Sequence, residues 1–203
     1  MKKYFNKIKV LLVFLLLVLT EYTISQPVIY DQIIKGQKVG TLKVFTETSE
    51  KTNEFEIKVK SEVKVNFLFL SAHVEYEGRA EYQSGKLMYS LIEIFKDGEM
   101  HEKGETTFKN GSYYAEIDGR RKIIPSVNIS YSSLKLYHHE PKEVKDVYAE
   151  VDGIFNSITY VGDGVYQLKL DESRTNTYTY KNGRLVQAKL DHWLAPIRLK
   201  IRE

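Results

Sequence analysis

The sequence predicts a mainly β protein: a curved antiparallel sheet or incomplete β-barrel of about 11–12 strands, with one short helix near 130–138. Three observations predict it. Asx-Gly pairs recur at Asp97-Gly98, Asn110-Gly111, Asp118-Gly119, Asp163-Gly164 and Asn182-Gly183, with Ser84-Gly85 beside them; such dipeptides supply the positive φ values that two-residue hairpins need. The runs between them alternate apolar and polar residues, as strands with one buried face do. One run, "FEIKVKSEVKVNFLFL" at 55–70, is far longer than an ordinary strand. Fully extended it would reach ~50 Å, so it must curve, and a curved one-sided sheet wraps around something.

Strands are expected at about 28–35, 38–48, 53–67, 72–83, 86–96, 99–108, 112–118, 154–161, 164–171, 175–181, 184–192 and 196–202. In the fourth, Val74, Tyr76, Ala80 and Tyr82 oppose His73, Glu75, Glu77, Arg79 and Glu81; in the last, Ile197, Leu199 and Ile201 oppose Arg198, Lys200 and Arg202. Apolar parity is odd through Phe69 and even from Ala72 on, which places a hairpin or bulge at Phe67–Ser71. The strand pattern breaks between Ile124 and Val151. There Ser130–Tyr137, "SYSSLKLY", is the best helical turn, with Ser caps before it and Pro141 after. "EPKEVKD" reads as a solvated connector.

The N-terminus carries Lys2, Lys3, Lys7 and Lys9 before the uncharged run Val10–Thr20. As a helix that run spans roughly 16 Å, about half of a membrane core, which fits a secretory signal better than an anchor. Thr23 and Ser25 supply the small residues of a cleavage site before Gln26. The expected organisation is a signal peptide at 1–25 and one β-rich domain at 26–203, periplasmic or secreted, with no stable membrane insertion after cleavage. The chain has no Cys, so neither a lipid-modified cysteine nor a disulfide is available. Of its 30 basic and 27 acidic residues the leader holds four Lys and one Glu, so the remainder is balanced. A balanced surface argues against nucleic acid as a partner.

No motif for nucleophilic hydrolysis or phosphate cradling occurs: G-x-S-x-G, G-x-x-x-x-G-K-[ST] and G-x-G-x-x-G are all missing. His73, Glu75 and Glu77 alternate along one strand face, but that face is the solvated one. His138-His139-Glu140 lacks the usual metal-ligand spacing and reads as a polar helix end. Glu93, inside "SLIEIF", reads as a strand-edge or Arg-paired carboxylate in preference to a functional acid. No catalytic residue, metal or cofactor is therefore expected. What remains is apolar. Phe55, Ile57, Val63, Val65, Phe67, Phe69, Val74 and Tyr76 are the candidate lining of a concave cavity, and Leu134, Leu136 and Tyr137 its candidate cover.

The stretches "GQKVGTLKV" (36–44), "YQSGKLMYS" (82–90), "YSSLKLYHHEP" (131–141) and "YTYKNGRLVQAKL" (178–190) resemble an uncharacterised domain-of-unknown-function family of exported β-rich proteins from Bacteroidota-type Gram-negative bacteria. The resemblance carries no activity. A looser, fold-level likeness is to the half-open barrels of periplasmic lipoprotein carriers, although one short helix would make only a small lid. The leading expectation is a non-catalytic binding or carrier module for an apolar small molecule, a lipid or an envelope protein. Its rivals are a structural or assembly factor with a self-packed core, a glycan-acting enzyme and an outer-membrane barrel.

Overall fold

The computed structural model describes residues 23–67, 70–124, 128–191 and 195–202. Fifteen strands form one antiparallel sheet: β1 Thr23–Ile24, β2 Val28–Ile34, β3 Gln37–Ser49, β4 Glu54–Phe67, β5 Leu70–Gln83, β6 Lys86–Lys96, β7 Glu99–Lys109, β8 Ser112–Ile117, β9 Arg120–Ile124, β10 Asp146–Ala149, β11 Ile154–Gly162, β12 Val165–Lys169, β13 Thr175–Lys181, β14 Arg184–Leu190 and β15 Ile197–Ile201. The order across the sheet is β10 through β15, then β2 through β9, with β1 lying beside β3. Two consecutive meanders are thus joined where β15 pairs with β2, Leu199 opposite Gln32. The end strands β10 and β9 do not pair with each other, so the barrel is incomplete.

The turns behave as their sequences require. Asp97-Gly98, Asn110-Gly111, Asp118-Gly119, Asp163-Gly164, Asn182-Gly183 and Ser84-Gly85 all have positive φ at both positions, the geometry whose twist matches flanking strands. Lys35-Gly36 does the same without an Asx residue to announce it. β4 and β5 pair from Glu54↔Gln83 to Phe67↔Leu70, within the stretch Phe67–Ser71 where the change of parity predicts a hairpin. Most of the expected leader, residues 1–22, lies outside the described residues; Thr23 and Ile24 pair with Thr48 and Glu47 of β3.

The meander defines two rims. Residues 49–54 and 83–86 lie on the first; Lys35-Gly36, Asp97-Gly98 and the β4–β5 tip lie on the second. Where a helix was expected at 130–138, only Leu134–Tyr137 form a 3-10 turn. No Ser side chain caps it. The segment from 128 to 150 instead enters the concave side from the first rim: Leu87 N donates to Ile129 O at 2.8 Å, and residues 131–133 run beside β10 through Ser133 N to Tyr148 O and Tyr148 N to Tyr131 O. Leu134 and Leu136 at its deepest point are wholly inaccessible to water. One core joins side chains of both meanders to this plug, from Tyr30, Ile57 and Ile92 to Leu134, Tyr178 and Leu199.

Candidate functional site

Backbone that leaves a ladder and enters an apolar interior must find other partners for its amides and carbonyls. Tyrosine hydroxyls projecting from the sheet supply them. Tyr180 of β13 donates to Leu136 O at 2.6 Å, and Tyr30 of β2 lies 3.2 Å from both Tyr137 O and Leu185 O. Tyr113 of β8 accepts from Ile129 N at 3.3 Å, and Tyr82 of β5 donates to Ser132 Oγ at 2.6 Å. Tyr166 of β12 donates to Glu140 at 3.0 Å, while Tyr131, within the plug, donates to His139 O. Burial pushes these phenols up, Tyr30 and Tyr166 to about 12, so they remain neutral donors at every physiological pH.

At the deepest turn sits Glu150, which has no exposed surface. Its carboxylate accepts from Ser133 N at 3.1 Å, Leu134 N at 3.2 Å and the Ser133 hydroxyl. It thereby supplies from a distant position in the chain the cap that the local Ser residues do not. Burial raises its pKa; hydrogen bonds from Ser132, Ser133 and the backbone oppose the shift. Sequence reading missed Glu150, and only its place in "AEVDG", beside the turn after β10, hinted at an inward position.

The candidate lining divides into two groups. Phe55, Ile57 and Tyr76 pack with the main core around the plug. Val63 and Val65 are buried in a separate small cluster with Ile34 near the second rim, against which Val39, Val74, Ala195 and Ile197 pack. Between the groups lies a polar layer, where Ser61 Oγ donates to the buried Gln32 Oε1 at 3.0 Å. The Phe67 side chain and all of Phe69 lie outside the described residues. Leu134, Leu136 and Tyr137 do not lie over the sheet as a lid; they fill the space in front of Phe55, Ile57 and Tyr76. The strand accommodates them, because a Cβ on Gly78 of β5 would stand 2.8 Å from Leu134 Cδ2.

On the convex face, His73 lies 3.1 Å from Glu62 and 3.7 Å from Glu75. Glu77, read with them from the sequence, instead pairs with Lys60 at 2.9 Å. Lys64 is already seated on Glu62 at 2.6 Å. Glu93, expected at a strand edge or beside an arginine, instead pairs with Lys103 at 3.1 Å on a strand flanked on both sides.

The first rim gathers three further titratable groups, Lys135, His138 and His139. His138 and His139, just past the 3-10 turn, stand 4.5 Å apart and both pack on Phe55, at 5.6 and 5.1 Å between ring centres. Beside them the Lys135 ammonium lies 3.9 Å from the centre of the Tyr82 ring and donates to Ser130 O at 2.8 Å. Burial lowers Lys135 to about 8 and His139 to about 4, the latter helped by the neighbouring His138 and Lys135 charges.

These features describe a barrel-like scaffold whose interior the chain itself fills. No curated protein matches the chain in sequence. A crystal structure described as a beta-barrel-like protein of domain of unknown function DUF1849 from Brucella abortus superposes with a TM-score of 0.60 at 11% identity, covering 87% of this chain and 95% of that one. That likeness concerns the fold alone. In sequence, the model of the domain of unknown function DUF6134 matches residues 30–202, from the first long strand to the last, and the protein belongs to that family.

Proposed function

We propose that the protein is an exported, non-catalytic module of the cell envelope, periplasmic or secreted, that binds another envelope protein on a rigid barrel-like scaffold. One observation carries this reading: the concave side facing Phe55, Ile57 and Tyr76 is occupied by the protein's own Leu134 and Leu136, tied in place by tyrosine hydroxyls and Glu150. A carrier of apolar cargo would need that space. Cross-linking in intact cells, followed by identification of the adduct, tests the proposal; one envelope protein recovered without co-purifying lipid is the expected result.

A second reading, carriage of a small apolar ligand, is favoured by the separate Ile34, Val63 and Val65 cluster beyond the Gln32–Ser61 layer. Native mass spectrometry of protein purified from its own envelope separates the two. A bound lipid of defined mass would overturn the first reading in favour of the second.

A further inference from the structure

We propose that the first rim holds an oxyanion-binding site, formed by Lys135 with His138 and His139 beside it, that takes a carboxylate or phosphate group. The argument begins with an ammonium that lacks a counter-ion. Lys135 has no carboxylate within ion-pair distance among the described residues; its partners are one carbonyl, Ser130 O, and aromatic rings, Tyr82 at 3.9 Å, Tyr131 at 5.7 Å and Phe55 at 6.0 Å. An ammonium has three donors and here uses one on protein. Ring faces stabilise a cation but leave its remaining donors free for an anion. The carboxylates next to Phe55 and Tyr82 in sequence do not complete the site: Glu54, Glu56 and Glu81 alternate with those rings onto the convex face, where Arg79 holds Glu56 and Glu81 at 2.6 and 2.8 Å.

The two imidazoles complete the donor set. Both are lowered by burial, so at neutral pH they are uncharged and each retains one N–H. Phe55 packs against both rings, and the ammonium stands 6.0 Å from the centre of that same Phe55 ring. A carboxylate or phosphate seated there would meet a point charge and neutral donors within a partly dehydrated aromatic wall, where charge-assisted hydrogen bonds are strong. The titratable groups facing Lys135 are His138 and His139 on its own segment, the Tyr131 phenol, and the Tyr82 phenol from β5.

The site has a proton signature. A bound anion favours the ammonium and so raises the Lys135 pKa from about 8. Binding at pH 8.5 therefore takes up protons.

Calorimetric titration of the full chain with inorganic phosphate and, separately, with a short-chain alkyl phosphate tests the proposal. His138 and His139 ring proton shifts are followed by NMR in parallel, and the pH 8.5 titration is repeated in two buffers of different ionisation enthalpy. Saturable binding that shifts both rings and takes up protons is expected, weakened about tenfold or more in Lys135→Met and restored toward wild type in Lys135→Arg. Binding of both probes identifies a free anion as sufficient; binding of the alkyl phosphate alone identifies a headgroup of an amphiphile. Should Lys135→Met not fold, the wild-type ring shifts and proton uptake decide. Absence of saturable binding by either probe, or binding without ring shifts or proton uptake, overturns the proposal.

Discussion

A single buried carboxylate organises the turn that fills this barrel. Glu150 receives two backbone N–H groups and a hydroxyl at the start of the 3-10 turn, the position where unpaired donors accumulate. Glu150→Ala would strand those donors inside the core and leave a void, a loss of about 2–4 kcal/mol by urea unfolding. Glu150→Gln keeps the shape and one acceptor oxygen and should cost less. Their pH dependence differs in a way that identifies the cause. Burial raises the folded pKa of Glu150 above the ordinary 4.5, so the native state holds its proton where the unfolded chain has lost it. Stability from this group is full below about 4.5 and declines as pH rises through the raised folded value. Wild type should show that decline above pH 4.5, and Glu150→Gln should flatten it. A decline of equal slope in both proteins would assign the pH dependence to other groups. Neither the Glu150 contact nor the tyrosine contacts are legible from spacing, since Glu150 and Ser133 lie 17 positions apart and Tyr180 and Leu136 lie 44 apart. What sequence does show of the tyrosines is their type, an apolar ring with a polar end, which is the type such a role requires.

At the scale of elements, legibility follows the physical signal each element carries. The twelve expected strands correspond to β2–β8 and β11–β15, because they alternate and most of them adjoin a turn with a Gly or Asx residue at positive φ. β9 carries no alternation to announce it, since Arg120, Arg121 and Lys122 are charged in succession and Ile123 and Ile124 apolar in succession. β10 escaped because Val147, Tyr148 and Ala149 are all buried, between β11 and residues 131–133, and so do not alternate. Sequence shows Leu134, Leu136 and Tyr137 as a candidate cover of the concave side, but not how deep they sit, because apolar side chains look alike at a rim or in a core. The strand retains a trace of the answer in Gly78, which interrupts the inward row Val74, Tyr76, Ala80, Tyr82 where Leu134 arrives. Gly78→Ala should destabilise by about 1–3 kcal/mol through overpacking against Leu134 and Ile92. Leu134→Ala alone should cost about 2–5 kcal/mol. In the double variant the Gly78→Ala cost should shrink by at least about 0.5 kcal/mol, since the methyl then occupies vacated space. Strict additivity in a double-mutant cycle would place Leu134 away from Gly78.

For the molecule as a whole, the decisive contact is the one that joins the two meanders. Apart from the two-residue β1, which lies beside β3, all neighbours in the sheet are sequence neighbours except β15 and β2, which must find each other across nearly the whole chain. Closing so long a loop before its contacts form is an entropic barrier, and folding rates fall as such contacts dominate. The geometry offers a way to remove that barrier without altering a side chain in the core. Arg202 N donates to Ile29 O at 2.8 Å, so the end of β15 lies beside the start of β2. A circular permutant that starts at Asn128, runs to Arg202, crosses a short Gly/Ser linker to Val28 and ends at Ile124 would place the strands in continuous order from β10 to β9. Only the plug and β10 would retain distant partners. The permutant should adopt the same fold, with a melting temperature within several degrees of the parent, and refold about tenfold faster or more after dilution from urea. If it refolds no faster, pairing of the chain ends does not limit the rate. Seating of residues 128–150 among the tyrosines would then be the slow step, and Tyr180→Phe, which removes the 2.6 Å bond to Leu136 O, should slow refolding in parent and permutant alike.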